Sequence, residues 1–169
     1  MKKDGKVALS FGNEDLAGNN KSESAMKIDD VDKAIIKYLE ENGRISNNEI
    51  ASGLAISEGT VRNRIKKLTE NRFLKIKGLI NPSMVKDKRV IFLGAKVAVS
   101  KDLESAAKAV SKLSCVKATS IVTGRFDLII EVFLEPYAVI NFICNDLGKL
   151  DSIVATESFL TLENYNKWI

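Results

Sequence analysis

The spacing of apolar residues changes once along this chain, and that change restricts the folds open to it. From residue 30 to about 71 they recur at helical intervals; from residue 89 they come in short continuous runs separated by helical stretches. In "DVDKAIIKYLEE" (30–41), Val31, Ala34, Ile35, Tyr38 and Leu39 share one helical face behind an acidic first turn that suits the helix dipole. "NGR" ends that helix. A second, short helix is expected over 47–54, with Ile50, Ala51 and Leu54 inward and Ser46 or Asn47 as its cap. "AIS" turns the chain, and Ser57 caps a third helix running to about Asn71. A short helix, a three-residue turn and a longer helix make a helix-turn-helix.

The second half reads differently. Buried strands are expected at 89–99, 115–124, 126–134 and 153–163, with helices at 102–113 and 136–150, the latter opening on Pro136. The order β-α-β-β-α-β is that of the ferredoxin-like split βαβ unit. "TGRFD" closes the two middle strands as a tight hairpin in which Gly124 can take positive φ. The fold class is therefore α+β, with an N-terminal helix-turn-helix (winged-helix-like) domain and a C-terminal ferredoxin-like βαββαβ domain. The expected boundaries are a disordered tail at 1–27, the helix-turn-helix at 28–73, a linking strand and hinge at 74–87, the ferredoxin-like domain at 88–163 and a tail at 164–169. "FLKIKGLI" is expected to serve as connector or basic wing.

Composition narrows the functions. With 45% apolar residues in 169, the chain can bury a real core. No run approaches the roughly 18 uncharged apolar residues of a membrane span, and the polar first residues lack the apolar stretch of a signal peptide, so a cytoplasmic protein is expected. Cys115 and Cys144 sit in apolar surroundings and read as buried free thiols. There is no histidine, which removes the commonest general base and metal ligand. No metal site and no catalytic residue is expected. Asp127 and Glu131 share a strand face, but a solvated or ion-paired couple is the ordinary reading of such carboxylates.

Charge is concentrated. Residues 57–77 carry seven basic side chains against Glu58 and Glu70. On the third helix Val61, Ile65 and Leu68 form an apolar stripe, while Gly59, Asn63, Lys66 and Lys67 fall opposite and Arg62 and Arg64 flank it. Charge alone favours a solvated helix face, which accounts for most charge runs. The three-helix setting favours double-stranded DNA, where Asn can read adenine and Arg or Lys can read guanine or hold phosphate. The candidate DNA contacts are Ser57, Thr60, Arg62, Asn63, Arg64, Lys66 and Lys67. The two hydroxyls would stand near phosphate at the helix N-terminus, and Arg64 could brace the fold instead.

"IDDVDKAIIKYLEENGRISNNEIA", "LAISEGTVRNRIKKL", "LINP" and "TGRFDLII", in that order, resemble the Lrp/AsnC (leucine-responsive, feast/famine) family of bacterial and archaeal transcription factors over about four-fifths of the chain. The resemblance implies a regulator that binds DNA and a small effector and forms homodimers, which assemble into tetramers or octamers. A DNA-compacting architectural protein with little base specificity is the alternative. Similar chains carry Gly just after the third helix, where this one has Arg72; a bulky residue in a left-handed cap costs about 1 kcal/mol.

No cofactor is implied, but an amino-acid effector is. Gly124 would allow close backbone approach, Arg125 would meet a carboxylate, and Asp127 would accept from an ammonium. The rival reading of these residues is a hairpin that Gly124 simply closes and Asp127 caps. In similar regulators the ligand lies between two dimers against this hairpin, Phe126 included, and against polar residues of the last strand, which align with Thr156 and Ser158. Their hydroxyls share one face and favour a polar ligand such as glutamine or lysine.

Overall fold

The computed structural model describes residues 26–169, so most of the expected N-terminal tail lies outside the described residues. The chain divides into two compact units between Lys77 and Gly78. The first holds α1 (Asp30–Glu41), α2 (Asn47–Leu54) and α3 (Glu58–Glu70).

Local sequence chemistry sets these helix ends. Asp29 caps α1 and Ser46 caps α2, each in a reciprocal capping box with the residue three places on, Asp32 and Glu49. Ser57 caps α3 by accepting the Thr60 amide. Inside, Ile35, Leu39, Ile50, Ala51 and Val61 form one cluster, flanked by Val31, Tyr38, Leu54 and Ile65. Full burial of each large aliphatic side chain contributes about 1.5–3 kcal/mol, enough together to hold three short helices that would not persist alone. Tyr38 packs its hydroxyl where a Cβ on Gly53 would stand, so α1 and α2 cross closely there.

The second unit is β1 (Arg89–Val97), α4 (Leu103–Val110), β2 (Val116–Ile121), β3 (Leu128–Leu134), α5 (Ala138–Asn141) and β4 (Ile153–Leu160). The sheet order is β2-β3-β1-β4, with every neighbouring pair antiparallel. This is the ferredoxin-like arrangement expected from the element order. The register sorts the residues by face. Ile91, Leu93 and Ala95 of β1 pair with Val132, Ile130 and Leu128 of β3, and all six enter a core with Ala106, Val110, Phe142 and Leu147 of the helical layer.

Three expectations need correction. The second helix of this unit is not one α-helix over 136–150. After α5 the chain widens into a π-helix at Phe142–Asp146 and tightens into a 3₁₀ turn at Leu147–Lys149. Phe142 and Leu147 are both buried, and a widened turn brings residues five apart towards the same side. The linking strand expected within 74–87 makes no ladder. Ile80 instead exchanges backbone hydrogen bonds with Ile169 at 3.0 and 3.1 Å, which also holds the C-terminal residues down. Cys144, within the π segment, is exposed and Cys115 is only half-buried, so neither thiol is the buried one expected.

Candidate nucleic-acid interface and effector hairpin

The turn between α2 and α3 is made without glycine. Ala55 takes φ +53°, and the Ile56 amide reaches back to the Ala51 carbonyl at 3.0 Å, closing α2. Asn47 on α2 donates to Glu58 on α3 at 3.3 Å and locks the crossing. At its far end α3 stops at Arg72, φ +57°, with the Phe73 amide bonded to the Leu68 carbonyl and the Arg72 amide to that of Thr69. Arg72 thus occupies the left-handed position that glycine would fill at no steric cost.

On α3, Val61 and Leu68 are fully buried and Ile65 is half-buried, so Arg62, Asn63, Lys66 and Lys67 are exposed on the opposite side. Arg62 pairs with Glu58 at 3.4 Å and Lys66 with Glu70 at 3.8 Å, both i,i+4 contacts on the surface. Such bridges contribute little, and either cation can exchange its partner for a phosphate. Ser57 and Thr60 are exposed at the N-terminal end, their hydroxyls 2.8 Å apart.

Arg64 stands apart from this set. Its Nη1 donates to Asp29 Oδ1 and Oδ2 at 2.8 and 2.7 Å and to Asp32 Oδ1 at 2.8 Å. The guanidinium holds the Asp29 carboxyl below its usual range, and the two carboxylates raise the pKa of Arg64 in return. Of the seven candidates, Arg64 is the one whose cation pairs with carboxylates outside α3, those of the α1 capping box.

The hairpin joining β2 to β3 carries Gly124 at φ +115°, a value that favours glycine. Arg125 bridges to Glu157 on β4 at 2.7 Å and lies over the Phe126 ring. Phe126 covers Gly94 of β1, where a Cβ would meet the ring at 2.5 Å, and it meets Phe159 edge-on at 6.1 Å between centroids. Asp127 accepts from the Val97 amide at 2.9 Å and from Lys96 Nζ at 3.3 Å. The amide bond, and then the lysine, hold its carboxyl below the usual range. Glu131 is bound to Lys167 at 2.8 Å, so the two carboxylates each have their own cation.

Register separates the remaining two candidates from the hairpin. Thr156 pairs with Ala95 and Ser158 with Leu93, which puts both on the face packed by helices. Glu157 pairs with Gly94, on the face that Phe126 covers. A single chain therefore brings Gly124, Arg125, Phe126 and Asp127 together and holds Thr156 and Ser158 on the other side of the sheet. The contacts of Glu157, Lys96 and Gly94 were missed in the sequence because they come from strand neighbours far apart in the chain.

Residues 28–75 match a family model for winged helix-turn-helix DNA-binding domains. An uncharacterised HTH-type transcriptional regulator of Pyrococcus furiosus is 34% identical over 143 residues, which span 83% of this chain and 95% of that protein. The chain belongs to the Lrp/AsnC family of HTH-type transcriptional regulators. Its fold is that of E. coli AsnC, with TM-score 0.63 at 24% identity over 82% of this chain and 95% of that one. A Neisseria meningitidis transcriptional regulator solved as its L-Met complex superposes with TM-score 0.67, at 24% identity over 83% of this chain and 94% of that one. In this Lrp/AsnC regulator the DNA-binding unit is the three-helix domain, and no helix among the described residues is long and apolar enough to cross a membrane.

Proposed function

We propose that this regulator binds DNA sequence-specifically as a homodimer or larger even-numbered homo-oligomer, and that an amino acid held at the 122–127 hairpin tunes its binding. The observation that carries the DNA reading is the exposed set Arg62, Asn63, Lys66 and Lys67 on a helix whose other side is sealed into the domain core. One amide among three cations is a base-reading group within a phosphate-binding surface. A single helix-turn-helix makes few base contacts, so paired half-sites about one helical turn apart, or a multiple of it, are expected.

The effector reading is supported by the L-Met complex of the Neisseria relative and by the hairpin itself. Gly124 admits close backbone approach. Asp127 has both oxygens engaged, yet a carboxylate has about four acceptor positions and can accept an ammonium as well. Thr156 and Ser158 lie across the sheet from Arg125, so a ligand touching both sets needs a second subunit to complete its pocket. Such a ligand binds the assembled state better and shifts the oligomer equilibrium.

Selection of bound fragments from genomic DNA, followed by salt titration on the best fragment, tests the DNA reading. Strong preference for that fragment over random duplex supports it. Equal affinity for both marks a DNA-compacting protein. Calorimetry and sedimentation with the twenty amino acids test the effector; it fails if none binds, or if the best binder keeps its affinity in Asp127→Ala and Thr156→Val.

A further inference from the structure

Asp32 is the buried charged residue of the described chain, and it lies at the start of α1, while the DNA-facing residues are on α3. A buried carboxylate needs a partner, because an unpaired charge out of water is costly. Arg64 supplies it. The side chain of Arg64 is 30% exposed and that of Asp32 is 8% exposed, so this half of the contact is shielded from competing solvent.

The arrangement goes beyond one ion pair. Asp29 Oδ1 accepts the Asp32 amide at 2.8 Å, and Asp32 Oδ2 accepts the Asp29 amide at 3.2 Å, which is the capping box of α1. Arg64 Nη1 seats on three oxygens of those same two carboxylates. The box is therefore a rigid two-carboxylate receptor, and α3 plugs into it one residue after Asn63. Val61 and Leu68 set the depth of α3, and the Arg64 contact adds a polar anchor to one side of that apolar stripe.

We propose that Arg64 is a positioning residue for DNA recognition: its seat on the Asp29–Asp32 box sets the roll of α3, and with it the direction in which Arg62, Asn63 and Lys66 point. This rests on the DNA-binding reading above. A roll error would spoil base contacts, which demand geometry, far more than phosphate contacts, which tolerate it.

The test uses the full chain, the best fragment from the genomic selection and a random-sequence duplex of equal length. Two variants are compared with the wild type, Arg64→Gln and Asp29→Ser. The second keeps a capping hydroxyl on α1 while removing one of the two carboxylates of the receptor. Circular dichroism at the assay temperature verifies folding. Both variants are expected to lower the ratio of specific to non-specific affinity by about tenfold, with the slope of log K against log salt unchanged. Arg64→Lys, which keeps the charge, is expected to recover part of the loss.

If Arg64 touched phosphate, Arg64→Gln would flatten the salt slope by about one unit, and Asp29→Ser, by releasing the arginine and removing a repelling charge, would tighten binding. Either result overturns the proposal, as does wild-type discrimination in both variants. Should Arg64→Gln fail to fold, Asp29→Ser decides alone. If the wild-type protein itself shows no preference for any fragment, the DNA-recognition reading fails first.

Discussion

The Val97 amide donates to Asp127 Oδ2 at 2.9 Å, so a carboxylate from the end of the β2–β3 hairpin closes the last rung of β1. The same residue's own amide bonds to the Ala95 carbonyl at 2.9 Å. Asp127 is thus tied to β1 by backbone on both of its sides, with Lys96 adding charge.

This arrangement predicts an acid-sensitive hairpin. The folded-state pKa of Asp127 lies below its unfolded value, first because of the Val97 hydrogen bond and then because of Lys96. Its contribution is fully present above the unfolded pKa, near 3.9, and is lost as pH falls through the lower folded value. Unfolding followed from pH 7 to pH 2 should show a smaller acid loss in Asp127→Asn than in the wild type. Equal acid sensitivity of the two proteins would remove Asp127 from that role.

Arg72 holds α3's end in a left-handed conformation. Arg72→Gly should stabilise the N-terminal unit by about 1 kcal/mol, because the side-chain penalty vanishes while the Schellman bonds to Leu68 and Thr69 remain. Urea unfolding read by helical circular dichroism measures it, and a loss of stability would mean that the Arg72 side chain contributes more than its backbone costs.

Gly94 leaves room for Phe126. Gly94→Ala should destabilise the C-terminal unit by about 1–3 kcal/mol, since its methyl would meet the ring at 2.5 Å. The same substitution in a Phe126→Ala background should cost much less. A double-mutant cycle gives this coupling directly, and additivity of the two changes would show that ring and methyl do not compete.

Asn63 and Lys67 should separate base reading from charge. Asn63→Ala is expected to relax base preference at one position, costing about 1–3 kcal/mol on the preferred fragment and little on others. Lys67→Ala should weaken all duplexes alike and flatten the salt slope by about one unit. Wild-type affinity in both variants would move the DNA surface away from α3.

Much of this was legible in the sequence because it depends on neighbours within a few positions. The helical spacing around Ile35, Ile50 and Val61 announced three helices, Ser46 and Ser57 announced the caps of the second and third, and the apolar runs at Ile91 and Ile130 announced buried strands, whereas the Asp29 cap of α1 came only with the fold. The π segment at Phe142–Asp146 was not legible, since a helical pattern of apolar residues does not state how tightly the turn winds. Nor was the left-handed Ala55, where an ordinary residue bears a conformation usually given to glycine.

Periodicity and capping are local properties, so the order of the three helices, the βαββαβ succession and the basic side of α3 could be read along the chain. Which charges find distant partners was a matter for the fold. Arg64 sits among Arg62, Lys66 and Lys67 in the chain, yet it alone reaches carboxylates 32 and 35 residues away. The register likewise puts Thr156 and Ser158, paired with Ala95 and Leu93, on the face of the sheet opposite Phe126, a placement no local spacing states. Contacts of that kind arise from packing between distant segments, and no spacing rule within a segment encodes them.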